Sequence, residues 1–488
     1  MAAMQLTLTT CHAALLARDA RFDGRFYVGV SSTGIYCRPV CPARTPLLKN
    51  CDFFAHAAAA ERAGFRPCLR CRPELAPGTS SVDACDQIAA QAATLIDAGA
   101  LDSGSLDALA ARLGVSSRHL RRVVAEAYGA SPVELALTRR LHSAKALLTD
   151  TALPVAVIAQ AAGFGSQRRL NAAFIERYGL APGALRKRAA PDNVATVDEH
   201  FLLKLAYRPP LAWPQLLAFL SGRGAVGVEA AVAGSYCRTV SIAGHKGWIA
   251  ASPDLARAQM RVQVSASLLP VLPQLQKRLR QTLDLDAHPQ AVAAHLGSDS
   301  RLAPIVAAIP GLRVPGAFDG FELGLRAVLG QQVTVKAATT IFGRFASAFG
   351  EAISTPYAAL THLSPTAARV AAASQAQVIA LGLTGRRAET VLALARACAE
   401  GRIALEAGSD IAATTAGLQA LPGIGPWTSQ YIAMRALRDP DALPTGDLAL
   451  LKAVGTSNHK ILANESESWR PWRAYAALYL WNAAAAGG

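Results

Sequence analysis

Four cysteines, Cys37, Cys41, Cys68 and Cys71, stand as C-x3-C and C-x2-C with twenty-six residues between the pairs. Two close pairs joined by a loop can set four thiolates at the corners of a tetrahedron, so the chain must return to one point twice. Zn2+ accepts that donor set at Zn–S distances near ~2.3 Å. A disulfide framework suits the total of nine cysteines poorly, because the number is odd. Cys11, Cys51, Cys85, Cys237 and Cys398 have no close partner in sequence and are expected to be packing residues.

At 488 residues the chain exceeds what one core can organise, since single cores stop growing near ~250–300 residues, and three or four domains are expected. Apolar residues make up 52% and charged residues 17%, a balance typical of folded protein. The net charge of +15 calls for a polyanionic partner, with nucleic acid the first expectation. No apolar run reaches the ~18–20 residues of a membrane span. The N-terminal stretch also lacks the basic head of a secretory signal, so a cytoplasmic protein with no membrane partner is expected.

Between about Ser80 and Arg188 one design occurs twice. SLDALAARLGVSSRHLRRVVAEAYGASP has apolar residues at helical spacing, a turn at Gly114 and Ser116 as N-cap of a second helix. VAVIAQAAGFGSQRRLNAAFIERYGLAPGALRK repeats it, with Gly163-Phe164-Gly165 as the turn and Ser166 opening the helix. A helix that reads the major groove must project polar and basic side chains from its first turns while its other face packs. Arg118, His119, Arg121 and Arg122 in the first, and Gln167, Arg168, Arg169 and Asn171 in the second, are the candidate DNA contacts. Arg38, Arg44, Arg66, Arg70 and Arg72, beside the cysteine quartet, are candidate phosphate clamps. RKRAAPDNVATVDEH, with Pro191, marks a linker.

From Phe201 to about Leu285 alternating runs predict a small α+β domain, with a hairpin turn at Gly244 to Gly247. Helical spacing dominates from His288, and PGAFDGFELGLRAVLGQQVTVKAATTIFGRF is expected to form one long helix. In LQALPGIGPWTSQYIAMRALRDPDALPTGDLALLKAV, Gly423 and Gly425 lie between two helical patterns. A tight turn there would leave backbone N–H groups free to meet a phosphate. Asp447 follows as a helix N-cap, where the helix N-terminus favours its negative charge. Trp427 and Tyr431, one helical turn apart, share a face.

The runs DGRFYVGVSSTGIYCRPVCPAR and FFAHAAAAERAGFRPCLRCRPE resemble the N-terminal domain of the Ada adaptive-response family. That resemblance implies one zinc ion on the four cysteines, with Cys37 also the acceptor of a methyl group from DNA methyl phosphotriesters. Converting one of four zinc thiolates to a thioether would make the centre less negative and strengthen DNA binding. The paired helices, closed by FIERYGLAPGALRK, resemble the AraC-family DNA-binding domain. The C-terminal half, with GQQVTV, the hairpin and the final PWRAYAALYLW, resembles 3-methyladenine glycosylases of the AlkA type in the helix–hairpin–helix superfamily. By that match Asp447 is the catalytic carboxylate and Trp481 joins Trp427 and Tyr431 in the base pocket. Gln332 takes a position at which a leucine commonly wedges into DNA. Strand-cutting members resemble a pattern with lysine where this chain has Trp427, which implies a monofunctional enzyme. The absence of a cysteine quartet after Asp447 argues against an iron–sulfur cluster.

The sequence therefore predicts a multidomain fold: a zinc-bound α/β domain (1–78), an all-α double helix-turn-helix domain (79–190), an α+β domain (197–287) and a mainly α helix–hairpin–helix domain (288–488). The expected function is regulated repair of DNA alkylation in a bacterial nucleoid. Its partners are damaged double-stranded DNA and promoter DNA, with RNA polymerase as a further one. Two alternatives stay open: a regulator whose glycosylase half only binds DNA, and a zinc domain that binds DNA without methyl transfer.

Overall fold

The computed structural model describes residues 6–77, 87–151, 153–189 and 199–486. Cys85 and most of the expected linker, 190–198, lie outside the described residues. The chain forms two compact units. One comprises Met1–Pro209, Asp254–Lys277 and Leu285–Ala287, the other Pro210–Pro253, Arg278–Asp284 and His288–Gly488.

The first unit begins with a four-stranded sheet in the order Cys51–Phe54, Tyr27–Val30, Ile35–Cys37, Arg66–Pro67. The central hairpin registers Val28 against Cys37, so the first cysteine of the quartet ends a buried strand. Gly29 is needed there, because a Cβ would come within 2.8 Å of the Phe65 ring.

Helices follow. Leu106–Arg112 and Ser117–Tyr128 form the first helix-turn-helix, and Val155–Ala161 and Gln167–Tyr178 the second. Both turns need the left-handed conformation that glycine adopts freely, Gly114 at φ 68° and Gly163 at φ 84°. The helix Pro132–Asp150 runs between the two motifs and opens with a Ser131/Glu134 capping box.

This long helix also receives the sheet module. Glu61, buried, accepts hydrogen bonds from Tyr36 Oη at 2.9 Å and Thr138 Oγ1 at 2.7 Å, and Arg177 of helix Gln167–Tyr178 lies 3.5 Å away. Lys145 donates to Glu74 at 2.5 Å and to the Cys68 carbonyl at 3.2 Å. Buried charges survive only when paired in this way. The unit also holds an antiparallel pair of strands, His200–Ala206 and Gln259–Ser265, with Leu203 opposite Val262.

In the second unit Glu229–Val232, Ser235–Ile242 and His245–Asp254 form antiparallel ladders. The hairpin turn is tighter than expected. Pairing runs to Ile242 opposite His245, so Ala243 and Gly244, at φ 47° and 83°, make the turn instead of Gly244 to Gly247. Two left-handed residues match the twist of the flanking strands.

The single long helix expected over 315–345 is two helices, Gly320–Leu329 and Val335–Phe349. Apolar spacing passes through the break unchanged, but Gln332 turns left-handed at φ 55°, and Thr334 caps the second helix by accepting from Ala337 N at 3.2 Å. Leu325, Val328, Leu394 and Ile432 are buried in the core of this unit. No helix among the described residues is long and apolar enough to cross a membrane.

Candidate metal centre and aromatic carboxylate site

The Sγ atoms of Cys37, Cys41, Cys68 and Cys71 all lie within 4.8 Å of one another, and all four residues are buried. Pairing of Tyr36 with Pro67 sets the first and second cysteine pairs side by side. Four sulfurs gathered this closely fit one tetrahedral Zn2+. Arg38 N donates to Cys71 Sγ at 3.4 Å. Cys11 and Cys237 are buried elsewhere, and burial pushes the Cys237 thiol up to about 11, as suits an inert packing residue.

Two of the expected phosphate clamps are structural instead. Arg38 is buried, pairs with Asp23 and donates to the Cys71 carbonyl at 3.0 Å. Arg72 pairs with Glu74 at 2.9 Å and with Asp150 at 2.8 Å. Their partners stand far away in sequence or on another element, which adjacency to the cysteines did not show. Arg44, Arg66 and Arg70 are exposed.

The second helix of each helix-turn-helix is capped as the sequence predicts. Ser116 Oγ accepts from His119 N and Ser166 Oγ from Arg169 N, both at 3.2 Å. Leu120, Val124, Leu170 and Phe174 pack inward. Arg118, Arg121, Arg122, Gln167, Arg168 and Arg169 are exposed, with His119 and Asn171 half-buried beside them. Arg122 is engaged with Glu126 at 3.1 Å and with His119.

In the second unit, helix Ile411–Gln419 leads through Gly423 into helix Pro426–Ile432. Gly423 is at φ 79°, and a Cβ there would fall 2.2 Å from Thr390 Oγ1, so a side chain at this position would strain the backbone and displace Thr390. Gly425 has φ −95°, so its role is to cap the helix and not to supply an unusual backbone. Gln331, which sequence reasoning passed over, reaches from the helix break to this hairpin. Its Nε2 donates to the Gly423 carbonyl and to Thr428 Oγ1, both at 3.0 Å, and so holds the exposed Gln332 close by.

Asp447 caps helix Leu448–Val454 and meets four N–H donors. Oδ1 accepts from Ala449 N and Leu450 N at 3.1 Å and from Trp481 Nε1 at 3.0 Å, while Oδ2 accepts from Trp427 Nε1 at 3.0 Å. Trp427 and Tyr431 are stacked, with centroids 5.3 Å apart and planes 6° from parallel, so they form one wall and leave no slot between them. Trp481 stands across from Tyr431 at 6.4 Å, tilted by 54°. All three aromatic residues and Asp447 are half-buried. A carboxylate held by four N–H donors beside an open aromatic face can stabilise positive charge developing next to it.

The fold and these two sites define a helix–hairpin–helix base-excision protein joined to a metal-binding, helix-turn-helix front half. Family profiles match in that order: the metal-binding domain of Ada over residues 10–74, a helix-turn-helix domain over 109–188, the AlkA N-terminal domain over 202–319, and the HhH-GPD superfamily base excision DNA repair protein over 325–460. A Mycobacterium tuberculosis protein described as a probable bifunctional transcriptional activator/DNA repair enzyme AlkA is 38% identical over 479 residues, 96% of this chain and 95% of that one. The chain belongs to this family of AlkA-type bifunctional activator and repair proteins. DNA-3-methyladenine glycosylase 2 of Escherichia coli is 35% identical over 277 residues, 57% of this chain and 95% of that protein. The Escherichia coli bifunctional transcriptional activator/DNA repair enzyme Ada is 41% identical over 118 residues, 24% of this chain and 32% of that one.

Proposed function

We propose that the C-terminal half excises N-alkylated bases of the 3-methyladenine type hydrolytically, with Asp447 as the catalytic carboxylate and Trp427, Tyr431 and Trp481 as the walls of the base pocket. The supporting observation is the hydrogen-bonded Asp447 at the edge of that aromatic face. An alkylated purine is already cationic and leaves without a proton donor, so one carboxylate is enough. Its Oδ1 carries three donors and Oδ2 one, which leaves Oδ2 the freer oxygen to face the oxocarbenium-like sugar and to orient water. Trp427 in place of a lysine leaves no amine to form an imine with the sugar, consistent with a monofunctional enzyme. Gly423, Gly425 and Gln332 would meet the DNA backbone and the gap left by the flipped base.

The front half would take a methyl group from a DNA methyl phosphotriester and regulate promoters. Bound zinc would keep the cysteines as thiolates. Cys37 Sγ attacks the methyl carbon, an S–C bond forms, the C–O bond breaks, and the phosphodiester anion leaves. The exposed arginines of the reading helices then grip promoter DNA, where RNA polymerase is the expected partner.

Base release from alkylated duplex, with Asp447→Asn as control, tests the repair reading; release no greater than that control would leave a DNA-binding regulator. Transfer of labelled methyl to Cys37 from phosphotriester DNA tests the other half, and an unmodified Cys37 would leave a zinc-stabilised binding domain.

A further inference from the structure

Glu229, Arg238, Glu322, Arg326, Arg435 and Arg223 gather around one cavity beneath the aromatic wall, and Asp319, at the same cavity, is paired with Arg278 at 3.6 Å. Arg238 pairs with Glu229 at 3.2 Å and Glu322 at 2.8 Å, and Arg326 pairs with the same two carboxylates at 2.7 and 3.2 Å. Those four charges cancel. Two cations remain, Arg435 and Arg223, and among the described residues neither has a carboxylate at ion-pair distance.

Arg435 is buried in the π-helical turn Ala433–Leu437 that continues the helix carrying Trp427 and Tyr431. It donates to Tyr431 Oη at 2.7 Å, to the Pro315 carbonyl at 2.9 Å and to the Gly316 carbonyl at 3.3 Å. Its guanidinium lies 5.0 Å from the Phe219 ring, and Arg223 lies 4.0 Å from the same ring. The wall thus has ends of opposite sign. Arg435 holds the Tyr431 hydroxyl, while the indole N–H groups of Trp427 and Trp481 hold Asp447.

We infer that Arg435, with Arg223 beside it, is a positioning residue that makes the base end of the pocket electropositive, so that charge leaving the base moves towards Asp447. The inference rests on the excision reading above. In that reaction the C1′–N bond breaks with its electron pair passing to the base. The sugar becomes cationic, and water then bonds to C1′ and releases a proton. The base becomes more negative by one unit of charge as the sugar becomes more positive. A fixed field from arginine to aspartate favours that shift, because it opposes the cationic base before the bond breaks and relaxes afterwards. Burial alone would push the Tyr431 phenol up, but Arg435 and Arg223 outweigh it and the phenol lies below its usual range. The sign of that balance agrees with an electropositive floor.

The test compares wild type, Arg435→Met, Arg435→Lys and Arg223→Met in the full chain. It measures affinity and the saturated single-turnover rate on a duplex carrying cationic N7-methylguanine, and affinity for a duplex carrying neutral hypoxanthine. Each Met variant is expected to lose about tenfold or more in rate yet bind the cationic lesion more tightly, with affinity for the neutral lesion unchanged. Lysine should restore part of the rate. A packing defect would weaken both duplexes alike, and that result, or an unaltered rate, overturns the inference. Arg223 makes no side-chain hydrogen bond among the described residues, so Arg223→Met carries the test if Arg435→Met does not fold. Failure of the wild-type chain to release any base sinks the excision reading itself, whereas release by wild type with variants of equal rate sinks this inference alone.

Discussion

Trp427 Nε1 lies 3.0 Å from Oδ2 of Asp447 while the Trp427 ring is stacked on Tyr431. One side chain thus supplies a wall and steers the carboxylate. Trp427→Phe keeps most of the ring and removes only the N–H. A hydrogen bond to a charged group contributes about 1.5–3 kcal/mol, so base release should slow by roughly ten- to a hundredfold in single-turnover assays. Thermal melting should change little, because the hydrogen bond is half-exposed.

Asp447→Asn should be well folded, since asparagine is as good an N-cap as aspartate. Loss of the anion should nevertheless lower base release by at least about a hundredfold, the scale seen when one charge-stabilising group is removed. Near-wild-type release by this variant, measured on methylated duplex, would transfer the chemistry to another residue.

Cys37→Ser should abolish labelled methyl uptake from phosphotriester DNA while Cys51→Ser leaves it intact, because Cys51 stands outside the quartet. Stripping the metal with a chelator should unfold the sheet module, as structural zinc sites contribute folding energy directly. Circular dichroism and metal analysis on the same sample would check both effects.

Glu229 sets an acid limit for the second unit. Burial would raise its carboxyl pKa, but Arg326, Arg238 and the Tyr236 hydroxyl outweigh that and hold it at about 2, below the ordinary 4.5. A depressed folded-state value stabilises the protein fully above about 4.5, and the contribution is lost as pH falls through about 2. Glu229→Gln should flatten the dependence of the melting temperature on pH across that window. At neutral pH it should cost roughly 3–5 kcal/mol, because two buried arginines then share Glu322 alone.

Features fixed by neighbours in sequence are legible in the sequence itself. Ser116, Ser166 and Asp447 each cap the helix that follows, and the pairs Cys37/Cys41 and Cys68/Cys71 converge as their spacing implies. Features set by distant partners are not. The break at Gln332 interrupts an unbroken apolar period, Arg72 finds Asp150 across 78 positions, and Gln331 finds the hairpin across 92. Arg435 offered one local signal, its place one helical turn beyond Tyr431, but only packing shows what it touches.

Glu61, Lys145 and Arg72 clamp the metal-binding sheet to helix Pro132–Asp150, and this makes the front of the chain a ruler. Any duplex that both parts grip must offer its phosphate and its recognition bases at one helical phase. Each inserted base pair turns the far contact by about 34°, given roughly 10.5 base pairs per turn, so operators that work through both parts should tolerate very little change in spacing.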